Sequence, residues 1–173
     1  MKRKMFMIMA LIAVFSVTSF AQKPQIIKTY IGYANVEVWD KNFQRIIDVK
    51  PRIIESSRSL DAFRARIPRN LKLIKSMKTR KNTDPLLTAK IDFKNYMLVV
   101  MLNSSIYSKI TKKITIFHYK GGKELRINYK WNQGMIGQQP VGMGQYHAIL
   151  LKKHKDRVTV RSEKNWKEYA SVR

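Results

Sequence analysis

Apolar side chains recur every second residue along several stretches of this chain and every third or fourth along two short ones. From Gln25 to Trp39, β-branched and aromatic residues dominate; Ala34, Val36 and Val38 fall on one side, Asn35 and Glu37 on the other. A period of two puts successive side chains on opposite faces of an extended backbone, so this is a predicted strand, with Gly32 marking a bulge or bend. Asp40, Lys41 and Asn42 read as a turn and Arg45 to Val49 as a return strand. Beyond Pro51 comes a short extended piece, Arg52 to Glu55, and then Ser56 to Ser59 offer helix N-caps. Leu60, Phe63 and Ile67 recur at helical spacing, Asp61 suits the positive end of the helix dipole in the first turn, and Pro68 stops the helix. Asn70 heads a second helical pattern, with Leu71, Ile74 and Met77 inside and Lys72, Lys75 and Lys78 outside. Asp84-Pro85 opens either a break or a single helical turn through Leu86 and Leu87.

The second half reads as strands. Tyr96 to Leu102 is an unbroken apolar run between Asn95 and Asn103, the pattern of a strand buried on both faces, with Asp92 capping the approach to it. Lys113 to Tyr119 alternates, the glycines of Lys120-Gly121-Gly122-Lys123 make a turn, and Glu124 to Trp131 alternates again, with Leu125, Ile127, Tyr129 and Trp131 on one face. That is a β-hairpin signal. Tyr146 to Leu151 and Arg157 to Arg161 are two further strands, after a loop from Asn132 to Gln145. Residues 163–173 form a polar tail that docks by Trp166 and Tyr169 or frays. The order predicts an α+β domain: a mainly antiparallel β-sheet or small sandwich with one or two short helices. Its core should include Phe63, Leu98, Val100, Ile116, Ile127, Ile149 and Val160.

Composition adds a destination. Lys2, Arg3 and Lys4, the apolar run Met5 to Phe15, and the small residues Ser19 and Ala21 have the order of a secretory signal peptide over residues 1–21, cut near Ala21-Gln22. Residues 22–56 then supply N-terminal strands, and 57–162 the α+β region of the same domain. Removing 1–21 takes away three bases and no acid, so the formal net charge falls from +24 by 3 to +21. There is no cysteine, which excludes disulfides, thiolate metal sites and a lipid-modified cysteine anchor. Export demotes nucleic acid as a ligand for so basic a chain. It favours a protein partner, or anionic lipid or polysaccharide.

No catalytic motif stands out. His118, His147 and His154 lack metal-like spacing and read as packed or solvated residues, so no metal or cofactor is expected. Ser104 and Ser105 read as a chain reversal, and Asp84, Asp92 and Glu124 show no spacing that favours a catalytic pair over structural roles. Gly137 to Gly142 has phosphate-loop glycine spacing, but Met143 stands where lysine is required. Two stretches carry binding candidates. The uncharged loop offers Met135, Ile136, Val141 and Met143, either as docking contacts or as an inward-packed arch. The basic run from Arg64 to Lys81 offers Lys72, Lys75 and Lys78, either as an anion-binding face or as a solvated helix face.

The stretch from Ser57 to Val160 resembles the C-terminal domain family named after the protease-complex stability factor PrcB. The likeness lies in order: a serine-rich lead and short helix, Ile91-Asp92-Phe93 running into the apolar strand, the hairpin, and a late strand after a glycine- and proline-containing loop. The resemblance implies a secreted accessory domain that binds or stabilises a partner, with a protease complex as one such partner. It brings no catalytic residue with it. The expected function is therefore a secreted, non-enzymatic binding protein; the alternative is a binder of anionic envelope lipid or polysaccharide.

Overall fold

The computed structural model describes residues 24–71, 80–81, 83–107, 109–110, 114–132, 141–162 and 168–172. In chain order the elements are β1 (Lys28–Asn35), β2 (Glu37–Trp39), β3 (Arg45–Ile47), β4 (Arg52–Ile54), α1 (Ser57–Arg64), β5 (Asn70–Leu71), β6 (Arg80–Lys81), α2 (Pro85–Thr88), β7 (Tyr96–Asn103), β8 (Lys109–Ile110), β9 (Thr115–Tyr119), β10 (Glu124–Tyr129), β11 (Trp131–Asn132), β12 (Met143–Lys152), β13 (Arg157–Ser162) and β14 (Glu168–Val172). Strands dominate and helices are few and short, as an α+β sandwich requires.

Two four-stranded sheets carry the fold, in the orders β1-β12-β7-β4 and β14-β13-β10-β9. The first is antiparallel throughout. The second contains a parallel pair, β10 with β13. Parallel neighbours need a long crossover, and here the chain leaves the second sheet, crosses as β12 of the first, and returns. Alternation along β7 explains its apolar run. Leu98, Val100 and Leu102 pack with Leu60, Phe63 and Ile67 from α1 and its C-terminal turn and with Leu86 of α2. Met97, Val99 and Met101 pack against Ile116, Leu125, Ile127, Val158 and Val160 of the second sheet. The central sheet is thus covered on both faces, and all seven expected core residues are buried.

Several expectations change. Asn70 does not cap a helix: Asn70–Leu71 pairs antiparallel with Arg80–Lys81. Residues 72–79 lie outside the described residues. The α1 cap is Ser56, whose side chain accepts from the Ser59 N–H, and the helix ends at Arg64 rather than running to Pro68. Asp61 therefore stands beyond the first turn and pairs with Arg64 at 3.0 Å. In the tail, Glu168–Val172 is a strand on the edge of the second sheet. The last apolar strand starts at Met143, three residues before the expected Tyr146.

Gly32 is no bulge. Its pairing with Tyr146 sits in an unbroken β1–β12 register. A Cβ there would lie 1.8 Å from Asp84 Oδ2 and 2.8 Å from the Tyr146 ring. The bare backbone makes room for a buried polar pair: the Tyr146 hydroxyl donates to Asp84 Oδ1, which also accepts the Leu86 N–H at 2.9 Å and so caps α2. Burial first, and then the neighbouring carboxylate, push the Tyr146 phenol far above its ordinary pKa. The same ring meets Phe63 edge-on at 5.4 Å. One contact set thereby joins β1, β12, α1 and α2.

Candidate docking interface

At Val36 the chain leaves the first sheet. The Val36 N–H donates to the Gly142 carbonyl at 2.8 Å, and the Val36 carbonyl accepts the Asp48 N–H at 2.7 Å. These bonds pin the base of a two-stranded ribbon, β2 with β3, in which Glu37 pairs with Ile47, Val38 with Ile46 and Trp39 with Arg45. Gly142 adopts φ +73°, and a Cβ on it would strike Glu37 Oε2 at 2.6 Å. Arg66 braces the ribbon's foot: it donates to the Asn35 carbonyl at 2.8 Å and to Asp48 Oδ2 at 3.1 Å. Burial pushes the Asp48 carboxyl up, but Arg52, the Lys50 N–H and Arg66 outweigh it and hold the pKa below the usual carboxylate range.

Above this foot the ribbon displays apolar surface. Trp39 is 64% exposed and Ile47 54%, with Ile46 also exposed. Arg45 lies over the Trp39 ring at 5.2 Å and reaches Glu37 at 3.4 Å, so Trp39 is held from one side and open on the other. At the tip, Asp40 Oδ1 accepts the N–H groups of Asn42 and Gln44 at 2.9 and 2.8 Å, and the Asp40 carbonyl accepts that of Phe43 at 3.1 Å. This turn fixes Phe43 at φ +57° and 84% exposed. A bulky side chain in left-handed backbone costs roughly 1–2 kcal/mol. Asn42, the residue type that tolerates such backbone, stands one position too early. Strain of this kind, spent on an exposed aromatic ring, is a mark of display.

Of the sequence-predicted contacts, Lys72, Lys75, Lys78, Met135 and Ile136 lie outside the described residues. Val141 is 87% exposed and precedes Gly142, whose carbonyl accepts the Val36 N–H at the ribbon's base. Met143 is half-buried in β12 opposite Asn35, a strand residue rather than a loop contact. The basic run starts with two side chains that the fold already uses: Arg64 donates to the carbonyls of Leu86, at 3.0 Å, and Ala89, and Arg66 braces the ribbon. Trp39, Phe43, Ile46 and Ile47 were not among the candidates. The one available signal was a phenylalanine directly after the polar turn residues Asp40 to Asn42.

Of the polar groups weighed for chemistry, Ser105, Asp92 and Glu124, like Asp84, are in structural use. Ser105 Oγ accepts the Tyr107 N–H at 3.2 Å and its own N–H donates to Asn103 Oδ1 at 2.9 Å, the chain reversal expected there. Asp92 accepts from the Lys94 N–H at 3.0 Å and from Asn95 Nδ2 at 2.7 Å. Glu124 accepts from Arg126 at 2.8 Å. Set against protein-family models, curated proteins and solved structures, the chain finds no match.

Proposed function

We propose that the protein is an exported, non-enzymatic accessory protein that grips a protein partner through the β2–β3 ribbon. The observation that carries this reading is Phe43, a large apolar side chain held out in solvent at a backbone angle that costs free energy. Trp39, Ile47 and Val141 are exposed apolar residues as well. Aromatic anchors of this kind dominate the energetics of interfaces. The partner's chemistry follows from charge: an apolar groove rimmed by carboxylates complements an exported chain whose net charge is +24 less the three bases of residues 1–21. A protease complex is the partner class that the PrcB-like resemblance suggests.

The test is Phe43→Asn. The side chain's buried sixth is worth about 0.8 kcal/mol, and asparagine recovers about 1 kcal/mol by accepting left-handed backbone. The melting temperature should therefore stay within a few degrees of wild type. Burial of the ring in a partner contributes roughly 1.5–3 kcal/mol, so affinity for a protein captured from the envelope fraction at high salt should fall by about 10- to 150-fold. Full retention of binding by Phe43→Asn and by Trp39→Ser would exclude the ribbon. Capture of lipid or glycan that disappears with salt, in place of protein, would move the reading to anionic envelope material.

A further inference from the structure

The topology brings together two of the chain's three histidines. His118 lies near the end of β9, and His154 in the turn after β12; their rings stand 5.4 Å apart, centroid to centroid, at a tilt of 46°. Both line a cleft of about 250 Å3, backed by Leu125 and Leu151 and reached by Gln25 of the segment before β1. His118 Nδ1 and His154 Nε2 are shut off from water and have no hydrogen-bond partner in the protein. A buried polar atom without a partner leaves its desolvation unrepaid, and two of them side by side point to a ligand.

We propose that His118 and His154 together bind a divalent transition-metal ion of the zinc, copper or nickel class at the lip of this cleft. Imidazole nitrogens bind such ions at about 2.0–2.1 Å. Two rings on one ion at a near-tetrahedral angle then have centroids roughly 5 Å apart, close to the spacing found here. The second requirement is a ring fixed in the right tautomer. His154 is hydrogen-bonded to the Gly122 backbone, a bond that favours its protonated form. With Nε2 unpartnered, the donor is Nδ1–H, which leaves the Nε2 lone pair free for a metal. The neutral imidazole is the ligating form.

The choice of ion follows from the donors. Among the described residues no group of three histidine, cysteine, aspartate or glutamate side chains gathers to hold a metal. Two imidazole donors suit borderline transition ions rather than calcium or magnesium, and Asp156, whose charge acts on His154, favours a cation there. The ion would keep open positions facing the cleft. Lys152 and Lys153 also line it, but both are exposed, and the Lys153 ammonium is turned to the Phe93 carbonyl at 3.4 Å. Water screens charges held at the end of such stems.

The chain offers its own control. It has three histidines and no cysteine, and the third, His147, sits in mid-β12. Untagged protein titrated with zinc should take up one ion, raising its melting temperature. His147→Ala should bind as wild type does. His118→Ala or His154→Ala should weaken binding at least tenfold, and the pair of substitutions together should abolish it. A readout on the unaltered protein guards against misfolded variants: sub-stoichiometric copper should broaden the ring proton signals of two histidines and spare the third. Three outcomes overturn the proposal: no uptake of either ion, uptake unchanged without His118 and His154, or inorganic phosphate raising the melting temperature where zinc does not.

Discussion

Replacing Gly32 by alanine should destabilise the protein far more than so small a change does elsewhere in a strand. By local preference the substitution is favourable, since glycine in a strand interior costs about 0.5–1 kcal/mol relative to alanine. The tertiary surroundings reverse the sign. The new methyl would sit 1.8 Å from Asp84 Oδ2 and 2.8 Å from both Cε1 and Oη of Tyr146. Neither neighbour can give way cheaply. Tyr146 is fully buried, and Asp84 is held both by the Leu86 N–H and by the Tyr146 hydroxyl. Overpacking a tight interior costs roughly 1–3 kcal/mol, and breaking the bonds to a buried carboxylate adds about 1–3 kcal/mol. Less the gain in propensity, the loss is about 1–5 kcal/mol, or roughly 3–15 °C in melting temperature for a chain of this size.

Urea unfolding of wild type, Gly32→Ala, Asp84→Ser and the double variant measures this directly. Serine keeps a capping oxygen on a shorter side chain, so Asp84→Ser should clear the space that the methyl needs. The double variant should then be less destabilised than the two single losses added together, by 1 kcal/mol or more. A Gly32→Ala protein within about 0.5 kcal/mol of wild type, or strict additivity in the cycle, would refute the close-approach account and return Gly32 to a conformational role.

Tyr146→Phe keeps the ring against Phe63 but deletes the donor to Asp84; denaturant unfolding should show a loss of about 1–3 kcal/mol, smaller than that of Tyr146→Ala. The histidines set a pH dependence: burial lowers the pKa of His147, and burial followed by His118 lowers that of His154, so the fold favours their neutral forms. Stability from these groups is complete above the unfolded histidine value of about 6.5 and declines as pH falls below it toward the depressed folded values. Thermal melts from pH 8 to pH 5 should therefore fall through that window, and a melting temperature that rises on acidification contradicts the assignment.

What the sequence discloses depends on how local each cause is. β7 was legible because a strand with an apolar layer on each face needs apolar residues throughout, and Met97 to Leu102 supply them. The β9–β10 hairpin was legible because one face of β10 meets the core and the other does not. Asn70 misled because a capping residue ahead of an apolar one reads as a helix start, whereas the partner that makes Asn70–Leu71 a strand, Arg80–Lys81, is supplied by chain return. Gly32 misled because its cause, Asp84 and Tyr146, is contributed by two remote segments. β14 and the parallel β10–β13 pair were invisible for the same reason: which strands pair is settled between remote segments and leaves little mark on side-chain pattern.

The two candidate sites escaped the sequence for opposite reasons, and their placement makes a final test. Trp39 and Ile47 were read as strand residues, and Phe43 fell between the turn and the return strand without a reading, because burial is the default fate of large apolar side chains. His118 and His154 were read as ordinary because only the fold brings them together. The ribbon's foot is tied to Gly142, just before β12, whereas His154 follows that strand's C-terminal end. Ten residues of extended chain separate the two ends of β12, about 30 Å. Ala148 and Leu150 on one face and Ile149 and Leu151 on the other are packed into opposite cores, so the strand has no slack through which to shift. Sites this far apart with no moving element between them should be energetically independent. Phe43→Asn should leave zinc affinity unchanged, and zinc should alter partner affinity by less than about twofold. A larger coupling would mean that the ribbon and the histidine cleft belong to one binding surface, with the partner itself completing the metal's coordination.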